Sequence, residues 1–119
     1  MAFRFRNFQV YQDSKNLHKE IAILANSFSR DYWHLADQVR RCSLSVVLNI
    51  AGGSSKQSDK DFNRFIAIAL GTFDKTVACL EIALDFNLLD KERFTELEKK
   101  CESVSKQLGG LSKKLKFCS

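Results

Sequence analysis

The chain has 119 residues, 45% of them hydrophobic and 28% charged, which supports a single globular domain with its own core and excludes an intrinsically disordered segment. Lys and Arg exceed Asp and Glu by 19 to 14, a formal charge of +5 that suits an anionic partner without specifying one. Proline is absent, where average usage would supply about six residues, so long uninterrupted helices with short connections are expected.

The opening MAFRFRNF carries no apolar h-region, and no run of about 18 apolar residues follows it. A cytoplasmic protein with no membrane span is therefore expected. The four cysteines Cys42, Cys79, Cys101 and Cys118 form no CxxC pair. They are expected as free thiols in a reducing compartment rather than as disulfides or zinc ligands. With only His18 and His34 available, no metal site can be assembled, and no cofactor is implied.

Four stretches repeat apolar residues with a spacing of three and four. The first, about residues 9–28, aligns Val10, Leu17, Ile21, Leu24 and Phe28. The second, about 32–51, aligns Tyr32, Leu35, Val39, Cys42, Val46 and Asn49. Asn49 on that stripe is expected to set helix register as a buried amide. The third, about 59–87, aligns Phe62, Ile66, Ala69, Phe73, Val77, Leu80 and Leu84. The fourth, about 90–115, aligns Phe94, Leu97, Cys101, Val104, Leu108, Leu111 and Leu115, with Gly109-Gly110 weakening its last turns. Ser58-Asp59-Lys60-Asp61 resembles a capping box, and Asp31 and Asp90 can cap the second and fourth helices. Gly52-Gly53-Ser54-Ser55 is expected to end helix two as a flexible connector with glycine at positive φ. Helices of about 20 to 30 residues joined by short turns pack as antiparallel neighbours. The expected fold is all-α, an antiparallel up-down-up-down four-helix bundle in one domain spanning residues 1–119.

Leu44–Ala51 and Phe65–Phe73 are apolar almost all round, more than one bundle seam can hide. Their second face is expected to meet another subunit through Leu44, Val47, Leu48, Ile68 and Leu70. Gly71 lies within the stretch, and a close helix approach is expected to offset its propensity cost of about 1 kcal/mol.

Two blocks carry a resemblance. Asp37–Gly53, DQVRRCSLSVVLNIAGG, resembles the Q-x-R-R-A-x-x-S-x-x-x-N-I-A-E-G signature of the bacterial four-helix-bundle proteins, also called 23S rRNA-intervening sequence proteins. Ser58–Thr72, SDKDFNRFIAIALGT, resembles the second block of that family, and Phe8–Gln12, FQVYQ, its start. Gly52 stands where the family usually has Glu, and Lys75 where it usually has another acid, so any role built on those acids is not carried over. The resemblance implies a small cytoplasmic four-helix bundle assembled as a homopentameric ring, in a family with no established enzymatic activity. A related branch accompanies the reverse transcriptase of diversity-generating retroelements, which implies nucleic acid and a protein as partner classes.

The charged residues supply candidate contacts. Arg40 and Arg41 lie off the buried seam, and paired guanidinium groups can clamp phosphate, or else line a solvated face with Asp37. Lys56, Lys60 and Arg64 surround the connector and the start of helix three, where free backbone N–H groups can hold a phosphate. Gly-Gly-Ser-Ser-Lys lacks the GxxxxGK[ST] spacing of a P-loop. The tail from Lys99 is rich in lysine, with Lys113, Lys114 and Lys116 its outermost cations, while helix three is rich in acids. Phe3-Arg4-Phe5-Arg6 alternates aromatic and basic residues, for packing onto the bundle or stacking on bases. Arg30-Asp-Tyr-Trp-His34 is spaced too closely for a helical RNA-cutting site, so no catalytic residue is assigned. The expected function is non-enzymatic binding of RNA or DNA, structured RNA foremost, by an oligomer. The alternative is an adaptor that docks another protein.

Overall fold

In the computed structural model, residues 3–118 are described, with side chains through residue 116. The apolar spacing becomes four helices: α1 Gln9–Asn26, α2 Trp33–Ser54, α3 Asp59–Asp85 and α4 Lys91–Cys118. Short 3-10 turns at Arg4–Asn7 and Arg30–Tyr32 precede α1 and α2, and no strand occurs among the described residues. Consecutive helices pack side by side, α2 and α3 most extensively, and α4 returns to α1. The result is an antiparallel four-helix bundle of 46 × 23 × 20 Å.

The stripes meet along its axis. Ile21, Ile50, Phe62, Ile66, Leu80, Leu97 and Leu108 are fully buried, each worth about 1.5–3 kcal/mol relative to an exposed side chain. The hydroxyls among them are satisfied locally. Thr76 Oγ1 donates to the Thr72 carbonyl at 3.0 Å, and Thr72 Oγ1 to Ile68 at 2.9 Å. The α1–α4 seam is the least extensive and carries polar links: Lys100 Nζ to Glu20 at 2.7 Å and Gln107 Nε2 to Asp13 at 2.8 Å.

Two of the three expected caps form. Ser58 Oγ accepts from the Asp61 N–H at 3.1 Å, and Asp90 Oδ1 from the Arg93 N–H at 2.7 Å. Asp31 does not cap α2; it sits inside the 3-10 turn, and Tyr32 at the N-cap makes no side-chain cap bond. At the end of α3, Asn87 takes φ 60°, the single positive φ among the described residues. Leu88 N–H reaches the Ala83 carbonyl and Asn87 N–H that of Leu84, both at 2.9 Å, the bond pair of a Schellman motif.

The expected glycine connector is corrected. Helix α2 runs on through Gly52, Gly53 and Ser54, and no glycine has positive φ. Gly53 is needed for closeness: a Cβ there would lie 2.7 Å from Phe65 Cβ and 2.9 Å from Phe62 Cδ1. Glycine therefore lets α2 and α3 touch where they approach the loop. Gly71 is the opposite case, exposed, with nothing within 4 Å of an added Cβ, so the expected close approach is not made within the subunit. Gly109 and Gly110 stay helical, because Leu108 is fully buried and Leu111 and Leu115 pack against the core. Asn49 does not set register between helices; its Nδ2 donates to the Ser45 carbonyl at 2.8 Å, inside its own helix.

Candidate nucleic-acid interface

The up-down-up-down path brings four separate pieces of chain to one end of the bundle: the segment before α1, the end of α2, the start of α3 and the end of α4. Arg4 fastens the first two. Its Nε donates to the Ser54 carbonyl at 2.9 Å, satisfying an orphan acceptor at the negative end of the α2 dipole. Its guanidinium lies 5.6 Å from the Phe62 ring centroid and 6.0 Å from that of Phe8, so its charge is held in aromatic contact. Asn63 Nδ2 donates to the Ser112 carbonyl at 3.3 Å, fastening α3 to the last turns of α4.

Around these fasteners stand the cations. Lys56 lies 4.9 Å from the Phe65 ring centroid and Arg6 5.2 Å from that of Phe3. Lys60, Lys113, Lys114 and Lys116 are exposed. Arg64 is exposed and reaches Asp61 at 3.3 Å, a surface pair that costs little to open. That end also holds the acids Asp59 and Asp61, fewer than its cations, whereas at the opposite end Arg30, Lys91 and Arg93 are outnumbered by Asp31, Asp85, Asp90 and Glu92. The bundle is therefore electrically polar along its axis, with positive excess at the end holding the chain start and the close of α4.

Six of the eight residues read from the sequence as phosphate contacts, Lys56, Lys60, Arg64, Lys113, Lys114 and Lys116, converge on that end. Arg40 and Arg41 do not. They stand 13 or 14 residues before Ser54 on α2, about 20 Å away at 1.5 Å per residue. Arg41 is paired with Asp37 at 2.8 Å, and Arg40 Nη2 donates to Asn26 Oδ1 at 3.1 Å. Arg4 and Arg6 belong to the basic end; sequence order alone cannot place them there, because the loop at Ser54 and the tail lie 50 and more residues away.

The apolar set also divides. Leu44, Leu48 and Ile68 are exposed at 40%, 57% and 53%. The Gly53–Phe65 contact sets the antiparallel register, which puts Leu48 level with the turn of α3 that holds Ile68. Val47 is corrected: it is buried within the bundle and cannot meet a neighbour. Leu70 is half-buried against the same core. Ile82, exposed at 44%, extends the outer face of α3 and was not singled out by its spacing.

Two polar features lie off this end. His18 Nδ1 and Ser43 Oγ are 2.7 Å apart across α1 and α2, and burial lowers the His18 pKa from its ordinary 6.5. Cys42, Cys79 and Cys101 are buried free thiols, while the side chain of Cys118 lies outside the described residues. Burial pushes the Cys101 thiol up to about 12, with Glu98 adding to the rise. Burial raises Cys79 as well, helped by the neighbouring Cys42. Among the described residues no group of His, Cys, Asp and Glu could hold a metal ion, and no helix is long and apolar enough to cross a membrane.

An antiparallel bundle with a basic end and exposed apolar residues on α2 and α3 defines the class: a small four-helix-bundle protein. The chain belongs to the 23S rRNA-intervening sequence protein family, whose model matches residues 6–110. Its fold is similar to that of a protein of unknown function from the S23 ribosomal protein family of Bacteroides thetaiotaomicron VPI-5482, solved by crystallography. The TM-score is 0.82 at 22% identity, covering 87% of this chain and 98% of that one. No curated protein matches the chain.

Proposed function

We propose that the protein is a non-enzymatic, cytoplasmic nucleic-acid-binding module that works as a homo-oligomer, with structured RNA as its ligand. The observation that carries this reading is the convergence of Lys56, Lys60, Arg64, Lys113, Lys114 and Lys116 from three chain segments on one end of the bundle. Surface solubility needs no such segregation, since dispersed charge serves it equally well. The mechanism is multivalent phosphate contact: each subunit contributes a few cations, and an oligomer multiplies them. No base-reading motif is visible, so shape and backbone would direct binding. A homopentameric ring, as the resemblance implies, would use Leu44, Leu48 and Ile68 as its contact.

The test is a salt titration of binding to a structured RNA. Affinity should fall along a straight log–log line. Replacing Lys113, Lys114 and Lys116 by Ala should flatten that line by about one unit of slope for each phosphate no longer neutralised. Salt-independent binding, or none, would favour the second reading. In that reading the protein is an adaptor whose exposed Leu44, Leu48, Ile68 and Ile82 dock another protein, such as one resembling a reverse transcriptase.

A further inference from the structure

We infer that the Phe3–Arg6 segment is an aromatic shelf that takes an unpaired nucleotide of the bound strand, so that the basic end prefers single-stranded to fully duplex nucleic acid. This rests on the nucleic-acid reading and adds a ligand feature to it. Phe3 is 55% exposed, yet it is oriented: Phe5 meets it edge to face at 6.2 Å, and Phe5 in turn packs on Tyr11 at 4.8 Å. The Arg6 guanidinium lies over the Phe3 ring, 5.2 Å from its centroid, and makes no ion pair with a carboxylate among the described residues. A ring still 55% exposed, with a guanidinium over it that no carboxylate neutralises, matches the two halves of a nucleotide, the exposed ring surface stacking on the base and the cation meeting the phosphate. Arg4 is already spent on Ser54, Phe8 and Phe62, so it holds the shelf in place.

Beneath the shelf lies a cleft of about 310 Å³ lined by Phe3, Phe5, Ala51, Gly52 and Ser55, at the small end of the range for ligand sites. Gly52 leaves it open, since an added Cβ would meet nothing within 4 Å. Ser55 on the cleft wall is followed in the chain by Lys56, one of the cations that would carry the flanking phosphates. A base inside a blunt duplex cannot reach the ring without unstacking, whereas an unpaired one can.

The experiment compares a uridine 12-mer with a blunt 12-base-pair RNA duplex, by fluorescence anisotropy at fixed salt on the full-length protein. Phe3→Ala should weaken the 12-mer by about 5- to 150-fold, the range for removal of one base–aromatic stack, and leave the duplex unchanged. Gly52→Glu, which the open space tolerates, should also abolish the single-strand preference by placing a carboxylate in the cleft. In a Trp33→Phe background, Phe3→Trp should be quenched by the 12-mer and not by the duplex. Equal effects of Phe3→Ala on both RNAs, or none on either, overturn the shelf while leaving nucleic-acid binding intact. Absence of binding to either RNA overturns both readings. A Phe3→Ala protein with altered assembly mass and unaltered 12-mer affinity assigns Phe3 to contact between copies instead, and also overturns the shelf.

Discussion

His18 couples protonation to stability. Burial holds its folded-state pKa below the 6.5 of the unfolded chain, so the unfolded state binds the proton more tightly. Stability is then complete above about pH 6.5 and declines as the pH falls below it. Thermal melts from pH 7.5 to 5.5 should show the wild type losing midpoint temperature faster than His18→Gln, which cannot titrate; parallel curves would remove His18 as the source. The cysteines make a second case. The thiolate is the reactive form, and burial raises Cys79 and holds Cys101 near 12. Alkylation at pH 8 should therefore leave Cys101 and Cys79 unlabelled in the native protein and label both in denaturant. Labelling of native Cys101 would mean that the α3–α4 seam opens.

The two glycines Gly53 and Gly71 give the helices opposite demands. Each costs its helix about 1 kcal/mol relative to Ala, but only Gly53 faces a neighbour, with Phe65 Cβ and Phe62 Cδ1 inside 3 Å of an added Cβ. Gly71→Ala should raise stability by up to about 1 kcal/mol, since nothing obstructs the methyl. Gly53→Ala should lower it by about 1–3 kcal/mol, because α2 and α3 must move apart. Chemical denaturation of both variants checks the pair. Equal shifts in one direction would mean that propensity alone governs, and that the close approach is soft. If Gly71→Ala instead weakens self-association without loss of stability, the outer face of α3 is in contact with another copy.

Assembly and charge are properties of the whole bundle. Leu48 is 57% exposed on α2, so Leu48→Glu should leave the fold intact, as exposed substitutions usually change stability by about 0.5 kcal/mol or less. It should divide an oligomer into subunits of 13.6 kDa, read by light scattering after size exclusion. A wild type already of that mass would refute the oligomer and leave Leu44, Leu48 and Ile68 without a use. Polyanion affinity should depend on which end is changed. Alanine at Lys113, Lys114 and Lys116 should weaken it, whereas alanine at Arg40 and Arg41 should weaken it less, because those two stand about 20 Å from the other cations. The reverse ranking would move the binding surface to the middle of α2.

Apolar spacing, the absence of proline and the Ser58 and Asp90 caps were enough to read four helices in antiparallel order, with ends placed within a few residues. These are local properties: a helix face follows from residues three and four apart, and a cap from residues within one turn. The tertiary structure alone decided which glycine marks a contact, since GGSS reads as a loop until Phe62 and Phe65 are seen against Gly53. It alone buried Val47 while leaving Leu44 and Leu48 outside, because the all-round apolar stretch from Leu44 contains no mark of which side faces α3. It alone gathered Arg4, Arg6, Lys56, Lys60 and the α4 lysines at one end and set Arg40 and Arg41 apart. Composition supplies the amount of charge, but its place depends on how the chain doubles back, and in an antiparallel bundle residues more than 50 positions apart share an end only after the core between them has packed.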